Sequence, residues 1–220
     1  METLEHKPIE NVFLWWLLSW IPFLNLYWWW RLLKVVAGHK QTITKEGKGL
    51  EHKEIEGHLF LFGLTVFALF IGMISSFLIT LTTIMSIPIN IVGGFFALLL
   101  MFYIYWKAST IIAWHKEDII IKEKAIGLTH KKSTEVVYMF ALPALADLIP
   151  MVGAVLGLIN FIPGIVYGGA IPLKSAFSAI LHLGLFYGAG LIMGTVLKGY
   201  WLWKATKVFL GHREVLKVAK

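Results

Sequence analysis

The chain has 220 residues, of which 58% are hydrophobic and 15% charged, and its formal net charge is +7. Soluble domains average about 25% charged residues, so this composition argues against an ordinary water-soluble enzyme. The chain has no cysteine, which excludes disulfides, thiolate metal sites and a thiol nucleophile. Its basic residues flank hydrophobic segments, so we expect no nucleic-acid partner.

Long uncharged stretches predict an all-α, polytopic membrane bundle of about five transmembrane helices. About 20 apolar residues per helix cross a bilayer core, and no Asp, Glu, Lys or Arg lies between His58 and Lys107 or from Ser175 to Leu197. We expect a single integral membrane domain in the cell membrane, in contact with the lipid bilayer. The predicted spans are 12–30, 59–85, 89–106, 136–172 and 175–197.

Basic residues predict the orientation of the bundle. Most Lys and Arg residues fall in the segments 38–58, 115–135 and 198–220. Cytoplasmic loops of membrane proteins carry an excess of such residues. These segments are therefore predicted to be cytoplasmic, with the N-terminus outside and the C-terminus inside.

In the fourth predicted span, 136–172, Pro143 lies before Asp147 and Pro150 lies after it. Because proline removes a helix hydrogen bond, we expect a broken helix at 147–150. Two interpretations of Asp147 stay open: an N-cap of the following helix, or an ion or proton site at membrane depth. His182, in the last span, is a second intramembrane polar candidate and is expected to hydrogen-bond between helices.

An internal repeat recurs three times, with the pattern Y-x-x-W-[KR]-x-x-[KT]-x4-H-[KR]. Aromatic belts and adjacent cations are typical of a membrane interface, so interfacial anchoring is the first interpretation. The alternative is a rim that binds anionic headgroups or a partner. The histidines of the repeat are expected to face water, and no metal site is predicted, since no carboxylate recurs at helical spacing beside them. The rim residues are Trp30, Arg31, His39, Trp106, Lys107, His115, Trp203, Lys204 and His212.

The first copy of the repeat closes the hydrophobic stretch Ile21-Pro22-Phe23-Leu24-Asn25-Leu26-Tyr27-Trp28-Trp29-Trp30-Arg31. This Y-x-x-W-[KR] element resembles that of uncharacterised small multi-pass membrane proteins of archaea and bacteria. The resemblance covers roughly 30 residues per copy. It implies a membrane location and brings no activity with it.

Glycines at four-residue spacing are typical of close helix packing, because they let backbones approach. All of them fall in the last two predicted spans, so we expect these spans to form the packed core or a subunit interface. These glycines are Gly153, Gly157, Gly164, Gly168, Gly184, Gly188, Gly190 and Gly194.

The sequence therefore favours a non-catalytic accessory or scaffold subunit that packs against other membrane subunits or a second copy of itself. The alternative is a small transporter or ion- or proton-conducting protein that uses Asp147. The segment 51–58 holds histidines and glutamates, but it lacks the H-E-x-x-H spacing of a zinc site and is interpreted as a solvated helix. No enzymatic motif, cofactor or metal is predicted.

Overall fold

The computed structural model describes residues 2–21, 23–44, 47–80, 86–120, 125–131, 133–159 and 188–216, together with residues 177 and 181. Helices dominate this part of the chain, and short strands lie at the helix ends. The helices are α1 (Val12–Leu18), α2 (Leu24–Ala37), α3 (His58–Thr80), α4 (Ser86–Ala113), α5 (Val136–Ile159) and α6 (Ala189–Leu210). The strands are β1 (Glu2–His6), β2 (His39–Thr44), β3 (Gly47–His52), β4 (His115–Ile120), β5 (Ala125–His130) and β6 (His212–Leu216).

The strands form three antiparallel pairs of the same design. β2 pairs with β3 and β4 pairs with β5 as local hairpins, while β1 pairs with β6 and so joins the two ends of the chain. Each pair follows a helix that carries one copy of the Y-x-x-W repeat, namely α2, α4 or α6. The described chain therefore contains three similar helix-and-strand units, the third of which takes its second strand from the N-terminus.

The three units contact one another in a ring. The Trp28 indole in α2 donates a hydrogen bond to the Thr206 hydroxyl in α6 over 3.0 Å. Trp201 in α6 donates in the same way to Ser109 in α4 over 2.9 Å. The two equivalent positions between the first and second units hold Ile104 and Leu33, which are fully buried and cannot form this side-chain hydrogen bond. Trp28, Trp201, Ile104 and Leu33 all belong to the hydrophobic core.

The predicted five-span membrane bundle and the multi-pass membrane location are wrong. Within the described residues, one helical segment, Val92–Ala113, is long and apolar enough to cross a membrane. Half of its most apolar window is buried inside the protein, as in a core helix. The apolar helical segments 58–74 and 136–152 are shorter, and the predicted first span divides into α1 and α2 around Phe23, whose φ is 68°.

The predicted outside N-terminus and inside C-terminus are also wrong. Glu2 pairs with Leu216 and His6 with His212 in the β1–β6 ladder, which brings both ends of the chain to the same end of the molecule. Five crossings would have put them on opposite sides.

The predicted helix break at 147–150 is absent as well, since α5 runs through Pro143 and Pro150. Of the glycines, Gly190 and Gly194 face α5: a Cβ at Gly194 would lie 2.8 Å from the carbonyl oxygen of Ala146. Gly188 has open space beside it. Gly153 and Gly157 lie within α5, and Gly164, Gly168, Gly184 and His182 lie outside the described residues.

Candidate metal centre

Among the described residues, six histidines meet where the three strand pairs come together. Each pair places two histidines opposite each other in register: His39 with His52, His115 with His130, and His212 with His6. We call His39, His115 and His212 the inner histidines, since each directly starts the strand after a helix. We call His6, His52 and His130 the outer histidines, since each ends the returning strand.

The inner histidines are buried and fixed by their own helices. In each one, Nδ1 lies 2.6–2.7 Å from the backbone carbonyl oxygen four residues earlier, which belongs to Val35, Ile111 or Val208. These carbonyls lie in the last turn of a helix, where they have no partner within the helix. Because a carbonyl only accepts, Nδ1 must donate, and Nε2 of each neutral ring is left with a free lone pair.

The outer histidines are held by a second repeated element, Leu-x-His-Lys. It occurs as Leu4 to Lys7, Leu50 to Lys53 and Leu128 to Lys131. All three leucines are buried. The backbone N–H of each lysine donates, over 2.7–2.8 Å, to the carbonyl of the residue just before an inner histidine, so each outer histidine is tied to the start of the opposite strand.

The six rings form a trigonal antiprism, that is, an octahedron viewed along its threefold axis. The inner ring centroids form one triangle with sides of 5.0–5.1 Å. The outer ring centroids form a second triangle with sides of 4.7–4.8 Å.

The two triangles are staggered. Each inner ring lies 4.7–5.6 Å from two of the outer rings. The remaining outer ring occupies the opposite corner. The opposite pairs are His6 with His39, His52 with His115, and His130 with His212.

The ring nitrogens point at one another. Among the described residues, the buried Nε2 atoms of His6, His52, His115 and His212 have no hydrogen-bond partner. The Nε2 atoms of His39 and His130 lie 3.3 Å apart. In two sets of four histidines, the ring nitrogens all lie within 4.8 Å of one another. Both sets contain His130 and His212; the first adds His6 and His115, and the second adds His39 and His52. Unpartnered buried polar atoms cost free energy, and a partner shared by several of these nitrogens would remove that cost.

Burial keeps these imidazoles neutral. Desolvation, followed by the charge of neighbouring histidines, lowers the pKa of His39 to about 2. Desolvation likewise lowers the pKa of His115 to about 3 and those of His6 and His52 to about 4. The pKa of His130 is lowered and that of His212 is well below the ordinary value, for the same first cause. A neutral imidazole is the form that binds a metal ion.

Chemically, the cluster matches a transition-metal site. Imidazole suits zinc, copper, iron and nickel, whereas magnesium and calcium prefer oxygen. A metal-bound histidine usually donates its other ring N–H to a carbonyl or carboxylate, as the inner histidines do here. The converging atoms in the described residues are nitrogens alone.

The predicted rim divides into three groups of residues: histidines, tryptophans and basic residues. The sequence predicted that His39, His115 and His212 face water. This prediction is wrong, because they turn inward and meet. The tryptophans pack on other rings: Trp30 lies 5.1 Å from Phe62, Trp106 5.4 Å from Phe140, and Trp203 6.0 Å from Trp16.

The basic residues of the rim differ in their partners. Lys204 is 3.3 Å from Glu117, and Lys107 lies 5.7 Å from the centre of the Tyr103 ring. Arg31 is half-buried.

In two of the three copies, the [KT] position of the repeat links one unit to another through an ion pair. Lys34 of the first unit is 2.7 Å from Glu214 of the third, and Lys207 of the third is 2.8 Å from Glu117 of the second. In each case the glutamate lies two residues after an inner histidine. The second unit has Thr110 at this position, and the residue two after His39 is Gln41. Thr110 and Gln41 line one surface cavity. Neither member of the third pair is charged.

Asp147 lies within α5 and bonds to two other helices. The ammonium of Lys198 in α6 donates to it over 2.8 Å, and the Tyr105 hydroxyl in α4 donates over 2.7 Å. The N-cap interpretation is therefore wrong, since a residue in the middle of a helix is no cap. The arrangement is an ion pair that ties three helices together.

Sequence reasoning missed the outer histidines. The signal that could have found them is the Leu-x-His-Lys element, which recurs as often as Y-x-x-W. Its spacing from the inner histidines is not constant. His52 and His130 lie 13 and 15 residues after His39 and His115, whereas His6 lies near the N-terminus, far from His212 in sequence.

Comparison of the chain with protein-family models, with curated proteins and with solved structures finds no match.

Proposed function

We propose that this chain is a metal-binding protein whose six-histidine cluster holds a divalent transition-metal ion. The observation that carries the proposal is the convergence of buried Nε2 atoms without hydrogen-bond partners. A cation at their centre would accept all of these lone pairs and remove the cost of burying them.

The ion would serve first as a structural fastener. The ligands come from all three strand pairs, and His6 and His212 lie near the two ends of the chain. A bound ion would therefore cross-link the β1–β6 pair, which holds the two chain ends, to the β2–β3 and β4–β5 hairpins. Such a cross-link suits a scaffold or accessory role without catalysis. The transporter alternative has weaker support, because Asp147 is already paired with Lys198.

The experiment is a metal titration of the chelator-treated protein. We expect one equivalent of divalent transition metal per chain by elemental analysis and calorimetry. His212→Ala removes an inner ligand and should weaken binding at least tenfold, about 1.4 kcal/mol. His58→Ala is the matched control, since His58 begins α3 and contacts the Trp30 ring outside the cluster.

Equal binding by both variants would contradict the proposal, because the ion would then be held elsewhere. Absence of binding by the wild-type protein would contradict it as well.

A further inference from the structure

Resting on the proposed metal-binding function, we infer that all six histidines bind a single ion at once, in octahedral geometry, and that the site prefers nickel(II), cobalt(II) or iron(II) to zinc(II). The two staggered triangles of rings carry this inference. Each inner ring has two outer neighbours and one opposite partner, as at the corners of an octahedron.

The dimensions fit one central ion. An octahedron whose edge is the 3.3 Å separation of the His39 and His130 Nε2 atoms puts each corner ~2.3 Å from its centre, near the ~2.0–2.1 Å of metal–imidazole bonds. The nitrogens of the opposite pair His130 and His212 lie within 4.8 Å of each other, as the diagonal of such a figure requires.

The protein itself positions the six histidines. The inner rings are fixed by the carbonyls of their helices, and the backbone beside each outer histidine is held by the hydrogen bond of the following lysine N–H. Four of these histidines cannot close around a tetrahedral ion without leaving two buried imidazoles unpartnered, which is unfavourable.

The choice of metal follows from this geometry. Zinc(II) has a filled d shell and takes four tetrahedral ligands in almost all structural sites. Nickel(II), cobalt(II) and iron(II) have partly filled d shells and gain ligand-field stabilisation from six nitrogen donors. Six protein ligands leave no open position for water or substrate, so the centre is built to hold an ion and lacks the vacant site of a Lewis-acid catalyst.

Cobalt(II) alone, added to the chelator-treated full-length protein, tests this inference. We expect a weak visible absorption typical of octahedral cobalt and a first shell of six nitrogens by X-ray absorption spectroscopy. An intense blue spectrum with four nitrogens would overturn the inference and leave the proposed function intact. A failure to bind any cobalt, nickel or zinc would overturn the proposed function itself.

A competition experiment with ligand variants gives the second readout. The wild-type protein should prefer nickel(II) to zinc(II) by at least roughly tenfold, which corresponds to about 1.4 kcal/mol. His6→Ala, His52→Ala and His130→Ala should each lower the nitrogen count to five and reduce this preference, with His58→Ala as the control. Circular dichroism identifies variants that remain folded. A wild-type preference for zinc(II), or folded variants that retain six nitrogens, would overturn the inference.

Discussion

His39 and His130 belong to different strand pairs, yet their Nε2 atoms lie 3.3 Å apart. Nδ1 of His39 already donates to the Val35 carbonyl, so its Nε2 is the unprotonated nitrogen. The hairpins therefore meet through ring nitrogens that face a common centre. The proposed cation at that centre would make the contact stabilising.

Removal of the metal should destabilise the protein. An ion that binds only the folded state stabilises it by about 4 kcal/mol when its free concentration is 1,000 times Kd. We therefore expect the melting temperature to fall on treatment with a chelator and to return on addition of nickel(II), as measured by calorimetry. A melting temperature that is the same with and without metal would refute the role of fastener.

The metal-free protein should lose stability in mild acid. Unfolded histidines titrate near pH 6.5, whereas burial lowers the pKa of His39 to about 2 and that of His115 to about 3. Below pH 6.5 the unfolded chain binds protons that the folded chain does not. Each such histidine should then cost up to ~1.4 kcal/mol per pH unit as the pH falls towards about 4.

Thermal unfolding of the chelated protein between about pH 4.5 and pH 8 measures this effect. Above pH 7 the histidine contribution should be constant. A stability that stays level from pH 6.5 down to pH 5 would show that the imidazoles are protonated or exposed in the folded state.

The packing of Leu4 on Gly38 should position the outer histidine two residues later. A Cβ at Gly38 would overlap the side chain of Leu4 in β1, so Gly38→Ala must shift that side chain. We expect a loss of about 1–3 kcal/mol in the free energy of unfolding together with weaker metal binding. Gly63→Ala is the control: Gly63 lies in α3 with nothing within 4 Å of a Cβ, and the change should be neutral or stabilising. Equal effects of the two changes would exclude a positioning role for Leu4.

The ion pair of Asp147 with Lys198 should be sensitive to loss of the carboxylate. Asp147→Asn leaves a half-buried ammonium without its anion, and we expect a cost of about 1–2 kcal/mol, between the values for exposed and buried pairs. Adding Lys198→Met to the same chain should recover part of it. Chemical denaturation measures both steps. An Asn variant as stable as wild type would contradict the ion-pair role.

The uncharged third link between units can be tested by completing it. Thr110→Lys with Gln41→Glu reproduces the pairs that Lys34 and Lys207 make with glutamates. A double-mutant cycle should give a favourable coupling of about 0.5–1 kcal/mol. Additive single changes would mean that the three units do not share this geometry.

Part of this architecture could be predicted from the sequence, because Y-x-x-W and the following histidine repeat at constant spacing. The position of His39 in the cluster could not, since its Nε2 lies 3.3 Å from that of His130, which belongs to a different strand pair. The sequence around one helix end shows only a single histidine at the predicted surface. The pairing of His6 with His212 depends on the N-terminal strand joining the C-terminal one.

Hydropathy led to the wrong fold class. The uncharged run from 59 to 106 is interpreted as two spans if composition alone is considered, yet of the described helices only Val92–Ala113 has the required length and hydropathy. Trp28, Trp201 and Tyr105 have the composition of an interfacial belt, but the structure buries them completely in a core. Asp147 was misassigned because Pro150 suggested a break, whereas α5 continues through it.

The most direct test of the central claim is the anomalous scattering of a crystal of the metal-loaded protein, measured at the absorption edge of nickel. We predict one strong peak per chain, about 2.1 Å from the Nε2 atoms of His6, His39, His52, His115, His130 and His212. A peak bound elsewhere, or a cluster whose rings face one another with no peak between them, would contradict it.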